Sequence, residues 1–176
     1  MTWGGEGGTL IVLTGASGSG KTTIAKAIEG LRPRAAEVCY FDSIGVPSPE
    51  AMVTGWGSGE AWQRARTLEW MRRLADPPDR RLPILLEGQM RFSFVEEGLQ
   101  RAGIDDARVI LVDCEDRVRS RRLCDERKRS DLAGSTMMNW AEYLRREARA
   151  GGYDILDTST LTLDRSVERV CAYLSN

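Results

Sequence analysis

The sequence predicts an α/β fold in which a five-stranded parallel sheet lies between two layers of helices. Short apolar runs alternate along the chain with segments whose apolar residues recur every three or four positions. Strands that alternate with helices form a parallel sheet, because right-handed crossovers bring every strand back in the same direction. A chain of 176 residues has room for one such domain. We therefore predict a single domain over residues 1–176, beginning with a flexible tail at residues 1–8.

The segment between the first strand, residues 10–13, and the first helix carries the most specific pattern of the chain. It fits G-x-x-x-x-G-K-S/T throughout and consists of Gly15, Ala16, Ser17, Gly18, Ser19, Gly20, Lys21 and Thr22. In such a loop, backbone N–H groups converge on phosphate oxygens, and the helix N-terminus adds partial positive charge. We expect Lys21 to reach the β- and γ-phosphates and Thr22 to bind Mg²⁺, with Thr23 also in the nucleotide site. The alternative is a glycine-rich turn without a ligand, and the flanking strand and helix argue against it.

The remaining elements follow from the same two periodicities. Four further apolar runs, each with a carboxylate at or near its end, are the predicted strands 37–42, 83–88, 108–113 and 153–157. Helical spacing, capping or glycine stops predict helices at 23–31, 58–75, 93–103, 137–152 and 164–174. Residues 45–59 are rich in glycine and proline and predict a loop with at most one helical turn at 49–53.

Several candidate site residues are predicted to lie at one edge of the sheet. Because all strands end on the same edge, the glycine loop, Asp42, Glu87 and Asp157 should lie along it. Asp42 is also compatible with plain turn capping. Either Glu87 or Asp113 fits the metal side, and Glu87 is favoured because the third strand normally lies beside the first.

Composition excludes several classes of function. The net charge is −1 and the pI about 5.7, so neither nucleic acid nor a membrane is expected as a partner. Histidine is absent, which removes histidine-based catalysis and metal binding. The four cysteines show no C-x-x-C spacing and indicate buried, reduced thiols in a cytoplasmic protein. No run is long enough to span a membrane, and the start does not resemble a signal peptide.

Several motifs together resemble the P-loop kinases of small molecules and nucleoside monophosphates, a group that includes shikimate kinase, gluconate kinase, adenylate kinase and chloramphenicol phosphotransferase. The motifs are the glycine loop, Asp42, the sequence EGQMR at 87–91 in place of D-G-F-P-R, the arginine-rich segment 115–129, and Asp157-Thr158-Ser159. The resemblance implies a P-loop NTPase fold and a protein that uses ATP and Mg²⁺. Glu87 stands where Asp is more usual and Met90 where Pro is. The acceptor-binding residues of no single named member are matched, so the resemblance does not identify the acceptor.

The resemblance also implies a role for each matching residue. Asp42 would orient or deprotonate the acceptor hydroxyl, Glu87 would hold a Mg²⁺-bound water, and Arg91 would contact the acceptor. An arginine-rich lid at about 117–134 would close on the triphosphate through Arg122, Arg127 and Arg129, with Arg127 taking part in transfer and Arg129 near the acceptor. Asp157, Thr158 and Ser159 would lie in the loop around the adenine.

The expected function is that of an ATP-dependent phosphotransferase acting on a small metabolite, nucleoside, nucleotide or antibiotic, as a monomer or homodimer. A nucleotide-dependent switch is the rival, although the N/T-K-x-D motif of GTPases is absent. A pseudo-kinase that only binds nucleotide is a third possibility. The acceptor and the preference for ATP over GTP stay open. Trp56 and Trp62 are candidates for stacking on a substrate ring, whereas Trp70 and Trp140 suggest packing.

Overall fold

The computed structural model describes residues 10–75, 82–126 and 128–174. The predicted tail and Arg127 lie outside these ranges, as do residues 76–81 between the second predicted helix and the third predicted strand. The described strands form one parallel sheet in the order β2–β3–β1–β4–β5, and they are β1 Leu10–Thr14, β2 Glu37–Tyr40, β3 Ile84–Gly88, β4 Ala107–Asp113 and β5 Asp154–Asp157. The predicted five-stranded parallel α/β fold is confirmed.

Helices cover both faces of this sheet. The described residues form α1 Lys21–Leu31, α2 Pro49–Trp56, α3 Gly59–Ala75, α4 Phe92–Ala102, α5 Asp116–Arg121, α6 Ser135–Gly151 and α7 Leu163–Leu174. Leu10 and Val12 of β1 pack toward α3, α4 and α6, whereas Ile11 and Leu13 pack toward α1 and α7. The alternation follows from the two-residue repeat of a strand, and it makes β1 fully buried.

The strand order positions the functional edge. β1 lies between β3 and β4, so the chain crosses from one side of β1 to the other after β3. In open α/β sheets, ligands bind outside the carboxyl ends of the strands at such a reversal point. The residues that follow β1 therefore occupy the expected ligand-binding crevice.

Helix α2 differs from the predicted loop. It runs for eight residues, with Pro49 in its first turn, the Ser48 Oγ accepting a hydrogen bond from the Ala51 N–H, and Gly57 in a left-handed conformation at its end. These are standard start and stop signals. The density of glycine and proline concealed them in the sequence. No residue of α2 is buried.

Helix α4 also begins differently from the prediction. Its N-cap is Arg91 and its first residue is Phe92, without a side-chain cap. The predicted start at Ser93, as the capping residue of the helix, is therefore wrong, because Ser93 already lies inside the helix. The predicted end at Gly103 is confirmed, with φ of 65° in the left-handed region.

Trp62 and Trp70 of α3 are both packing residues, although the sequence made Trp62 a candidate for stacking on a substrate. Trp62 is buried edge-on against Phe41, with ring centroids 6.0 Å apart, so it is not available for stacking on a substrate. Trp70 is buried as predicted, and its Nε1–H donates to the Phe41 carbonyl at 3.1 Å. Trp56 remains partly exposed beneath the Arg66 guanidinium.

The cysteines fit their prediction in part. All four are free, Cys114 is buried, Cys39 and Cys171 are half-buried, and Cys124 is exposed. Burial raises the pKa of the Cys114 and Cys171 thiols, which favours their protonated forms. Within the described residues, no helix combines the length and the apolar character that crossing a membrane requires.

Candidate functional site

The glycine loop, residues 15–22, joins the end of β1 to the start of α1. Gly15 passes so close to β4 that a Cβ there would lie 2.3 Å from the Val112 carbonyl oxygen. Gly18 and Gly20 have φ angles of 79° and 98°, which glycine adopts without steric cost. Lys21, the first residue of α1, is buried. The backbone path of the loop therefore requires the glycines of the pattern.

The two predicted metal ligands, Thr22 and Glu87, lie together. The Thr22 Oγ1 donates a hydrogen bond to Glu87 Oε2 at 3.1 Å. Glu87 reaches this position because β3 pairs with β1, opposite Leu13 in the parallel register. Hydroxyl and carboxylate oxygens are ligands that Mg²⁺ accepts, and it commonly completes its shell with phosphate and water. This pair therefore fits a Mg²⁺ bound together with a polyphosphate.

Asp113, the other carboxylate considered for the metal side, is held by arginines. Its Oδ1 accepts from Arg119 Nη2 at 2.6 Å, and its Oδ2 accepts from Arg145 Nε at 2.6 Å. Asp113 and Arg119 are buried. The hydrogen bond from Arg145 to Asp113 raises the pKa of the arginine further above its usual range. Because both oxygens of Asp113 are engaged, the geometry favours Glu87 as the carboxylate on the metal side.

The first part of the arginine-rich segment lies against the carbonyl groups of the loop. Arg119 Nη1 donates to the Ser17 carbonyl at 2.9 Å. Arg122 Nη1 donates to the carbonyls of Gly18 and Ser19 at 3.2 and 3.3 Å. Two arginines of α5 and the π-helical turn Arg122–Glu126 thus bind three consecutive peptide units of the loop.

This packing reduces the number of residues that could form the predicted lid. Arg122 was expected to close on the triphosphate, but its guanidinium is bound to protein oxygens, and the neighbouring Leu123 is fully buried. Residues 128–131 are exposed instead, and Arg129 forms a forked ion pair with Asp131 at 2.8 Å. A contact of Arg129 with an acceptor remains a prediction. The lid hypothesis now concerns the residues after Glu126.

A cavity of about 160 Å³ adjoins the loop on the side of α7. Its lining includes Gly18, Gly20, Thr23, Ile24, Arg122, Glu126, Thr158, Leu161, Leu163 and Ser166. Of the three residues predicted around the adenine, only Thr158 lines it. Asp157 and Ser159 are engaged with each other, since the Ser159 N–H donates to Asp157 Oδ1 at 2.8 Å. The lining is mixed, with Ile24, Leu161 and Leu163 offering apolar contact and Thr158 and Ser166 offering hydroxyl groups, a combination that a nucleobase can use.

The predicted acceptor residues lie near the ends of β2 and β3. Asp42 is exposed in a 3₁₀ turn, Phe41–Ile44, directly after β2. Arg91 is less accessible, with 22% of its side chain exposed and its guanidinium carbon 4.9 Å from the ring centroids of both Trp140 and Tyr143. It also pairs with Glu60 at 3.1 Å. Aromatic faces hold a guanidinium in place without using all of its hydrogen-bond donors.

Gln89 connects the region of the predicted acceptor residues to the loop. Its Nε2 donates to Ser17 Oγ at 3.0 Å, and its Oε1 accepts from Trp140 Nε1 at 3.1 Å. Its backbone carbonyl accepts from Gln63 Nε2 at 2.9 Å. Trp140, predicted to be a packing residue, therefore also positions a polar group beside the loop.

Sequence reasoning missed Arg119 and Arg145. A signal for Arg119 was present, because it lies one helical turn before the apolar Leu123 and so shares its inward face. A carboxylate that ends a buried strand, such as Asp113, also implies a cationic partner. Nothing in the sequence identified Arg145, which comes from a helix 32 positions away from Asp113.

The glycine loop, the sheet order and the helices on both faces define the P-loop α/β fold. No protein-family model matches the chain, and no curated protein matches it in sequence. Solved structures match it over nearly its full length. A gluconokinase from Sinorhizobium meliloti has a TM-score of 0.66 and 19% identity, covering 97% of this chain and 92% of its own.

Two further matches are a shikimate kinase from Acinetobacter baumannii and a sugar kinase from Janibacter. The first has a TM-score of 0.64, 18% identity, and coverage of 97% of this chain and 96% of its own. The second has a TM-score of 0.67, 19% identity, and coverage of 96% and 95%. At this level of identity the likeness establishes the fold. The predicted resemblance to P-loop kinases of small molecules is confirmed in that respect.

Proposed function

We propose that the protein is an ATP-dependent phosphotransferase that moves the γ-phosphoryl group of ATP to a small-molecule acceptor. The contact between Thr22 Oγ1 and Glu87 Oε2 carries this proposal. It joins the glycine loop to a strand-end carboxylate at the start of α1, where the helix N-terminus favours a bound phosphate and the two side-chain oxygens supply ligands for Mg²⁺. Gluconokinase, shikimate kinase and sugar kinase structures share the fold, which supports a kinase of a metabolite.

Thr22 and Glu87 would hold the Mg²⁺, either directly or through water. When bound, the ion neutralises phosphate charge that develops during transfer. Lys21 would bind the β- and γ-phosphates as a mobile cation, and the backbone N–H groups of the loop would hold the phosphate oxygens. The cavity beside Thr158 and Leu161 would take the base.

The acceptor would lie between Asp42 and Arg91. Asp42 is exposed and would orient the attacking hydroxyl or accept its proton. Arg91 is stacked on aromatic rings and already pairs with the carboxylate of Glu60, so a carboxylate or phosphate of the acceptor would compete for the same donors. This favours an acceptor that carries a negative charge.

The experiment is an acceptor screen with the purified chain and Mg-ATP. We expect ADP release that depends on one class of acceptor, with a product heavier by one phosphoryl group in mass spectrometry. Lys21→Ala should abolish the signal. The surface variant Lys26→Ala should retain it, since Lys26 is exposed on α1.

The screen also tests the rival function. Binding of ATP without transfer to any acceptor would contradict the kinase and favour a nucleotide-dependent switch. Absence of ATP binding would contradict both. We also propose that the protein acts in the cytoplasm, because ATP and phosphorylated metabolites are available there.

A further inference from the structure

A chain of three charged groups connects α6 to the glycine loop, and two of them, Asp113 and Arg119, are buried. Arg145 of α6 donates to Asp113 at the end of β4, and Asp113 accepts from Arg119 of α5. Arg119 in turn donates to the Ser17 carbonyl at 2.9 Å. The Arg119 side chain is 0% exposed. A fully buried arginine is rare unless it is paired.

The carbonyl that Arg119 binds determines where a phosphate-binding group points. The Ser17 carbonyl and the Gly18 N–H belong to one peptide unit, which is planar and trans, so the two groups point in opposite directions. Fixing the oxygen toward Arg119 therefore directs the Gly18 N–H away from it. In a loop of this kind the N–H groups are the ligands of the phosphates.

Gly18 also packs closely against the segment that carries Arg119. Its φ of 79° lies in the left-handed region, and a Cβ would approach Arg119 Cγ and Leu123 Cγ at 3.1 Å each. The loop thus packs directly on the helix that carries Arg119. Arg119 Nε is buried and lacks a hydrogen-bond partner among the described residues. An unpaired buried donor lowers stability, so burial alone does not account for an arginine at this position.

We propose that Arg119 is a positioning residue for polyphosphate binding, which aims the Gly18 N–H through the Ser17 carbonyl, and that Asp113 and Arg145 act through Arg119. The inference rests on the proposed function, because it requires a nucleotide on the loop. It assigns no contact with the nucleotide to any of the three residues. Their effect should therefore scale with the phosphate chain and be absent for the nucleoside.

The test compares ATP with adenosine. Affinity for Mg-ATP is measured by calorimetry, and affinity for adenosine by ligand-observed NMR. Arg119→Met should lower ATP affinity about tenfold or more, because a charge-assisted hydrogen bond is lost. Adenosine affinity should stay within about twofold. Arg119→Lys should be intermediate, because one ammonium replaces a rigid fork that binds Ser17 and Asp113 together.

Two further variants keep the test decisive. Arg145→Met leaves Arg119 paired with Asp113 and should give a smaller loss, again for ATP only. It answers the question if Arg119→Met fails to fold. Arg108→Met removes an exposed arginine of the same strand as Asp113, paired with Asp154 at 3.8 Å, and should change neither affinity.

Different results would contradict the positioning role of Arg119 and the proposed function. Unchanged ATP affinity in Arg119→Met overturns the positioning role. Equal losses for ATP and adenosine also overturn it, because they indicate a general structural defect. If the wild-type chain binds no ATP at all, the proposed function fails, and the inference fails with it.

Discussion

The proposed nucleotide side and the proposed acceptor side of the site are built differently. Behind the glycine loop, Arg119, Asp113 and Leu123 are buried and the hydrogen bonds connect several elements. On the acceptor side, Asp42 lies on an exposed turn, and the following helix α2 buries no residue. Arg91 there is held by aromatic faces and by Glu60, whose side chain is 61% exposed.

This difference has a consequence for function. Polyphosphate is recognised by backbone groups whose directions must be fixed before binding, and buried ion pairs provide such rigidity. The proposed acceptor would meet side chains on elements with few buried contacts, which open more readily. We therefore expect substitutions on the acceptor side to change turnover or acceptor affinity while nucleotide binding is kept.

Asp42→Asn is the strongest test of this separation. The change keeps the size of the side chain and removes its negative charge, so turnover should fall by about 10²–10⁴, the range for a positioned general base. The lower end is favoured if transfer is loose and needs little early deprotonation. ATP affinity should be near normal. Calorimetry and turnover with the identified acceptor are measured together.

Asp105→Asn is the matched control for Asp42→Asn, because Asp105 is an exposed carboxylate just before β4, at the opposite edge of the sheet. It should leave both quantities unchanged. Loss of ATP binding together with turnover in Asp42→Asn would move Asp42 to the metal side. Loss of neither would make it a turn residue.

On the nucleotide side, Lys21→Ala should lower ATP affinity as well as abolish transfer. Removing one charge-assisted contact of about 1.5–3 kcal/mol lowers ATP affinity by roughly tenfold to a hundredfold. The fold should remain, because the glycines determine the path of the loop. Equilibrium unfolding and calorimetry check the two statements, with Lys26→Ala as the control. Unchanged affinity in Lys21→Ala would contradict the assignment of the loop.

The sequence allowed some residues and elements of these two regions to be predicted, but not others. The proximity of the glycine loop and Glu87 was predicted correctly, because it depends on local pattern and on the order of the strands. Arg119 and Arg145 were missed because their roles depend on the ion pairs that two different helices form with Asp113. A local sequence pattern does not predict which helices come together at that residue. Helix α2 was missed for another reason, since its capping signals were outweighed by neighbouring glycines and prolines.

Arg91→Met should have a smaller effect, confined to the acceptor. The methionine keeps apolar contact with Trp140 and Tyr143 but removes the charge that an anionic acceptor group would meet. We expect the acceptor KM to rise about tenfold with ATP affinity unchanged. Arg101→Met is the control, since Arg101 lies on the same helix, α4, and pairs with Glu97. A fall in ATP affinity would place Arg91 with the nucleotide.

Trp140→Phe should have the smallest effect, and it tests how the two sides are joined. Phenylalanine preserves a ring beside Tyr143 and Arg91 but removes the Nε1–H that donates to Gln89 Oε1 at 3.1 Å. A neutral hydrogen bond contributes about 0.5–1.5 kcal/mol, which corresponds to roughly twofold to tenfold. Because Gln89 still donates to Ser17 Oγ, we expect the change in the acceptor KM and not in ATP affinity.

The control for Trp140→Phe is Tyr143→Phe, which removes a hydroxyl from the other ring of the same stack and leaves the Gln89 contact intact. It should leave the acceptor KM closer to the wild-type value. An equal change in the two variants would assign the effect to the aromatic stack. A fall in ATP affinity in Trp140→Phe would show that Gln89 transmits the acceptor side to the loop through Ser17, and the two sides would then act as one unit.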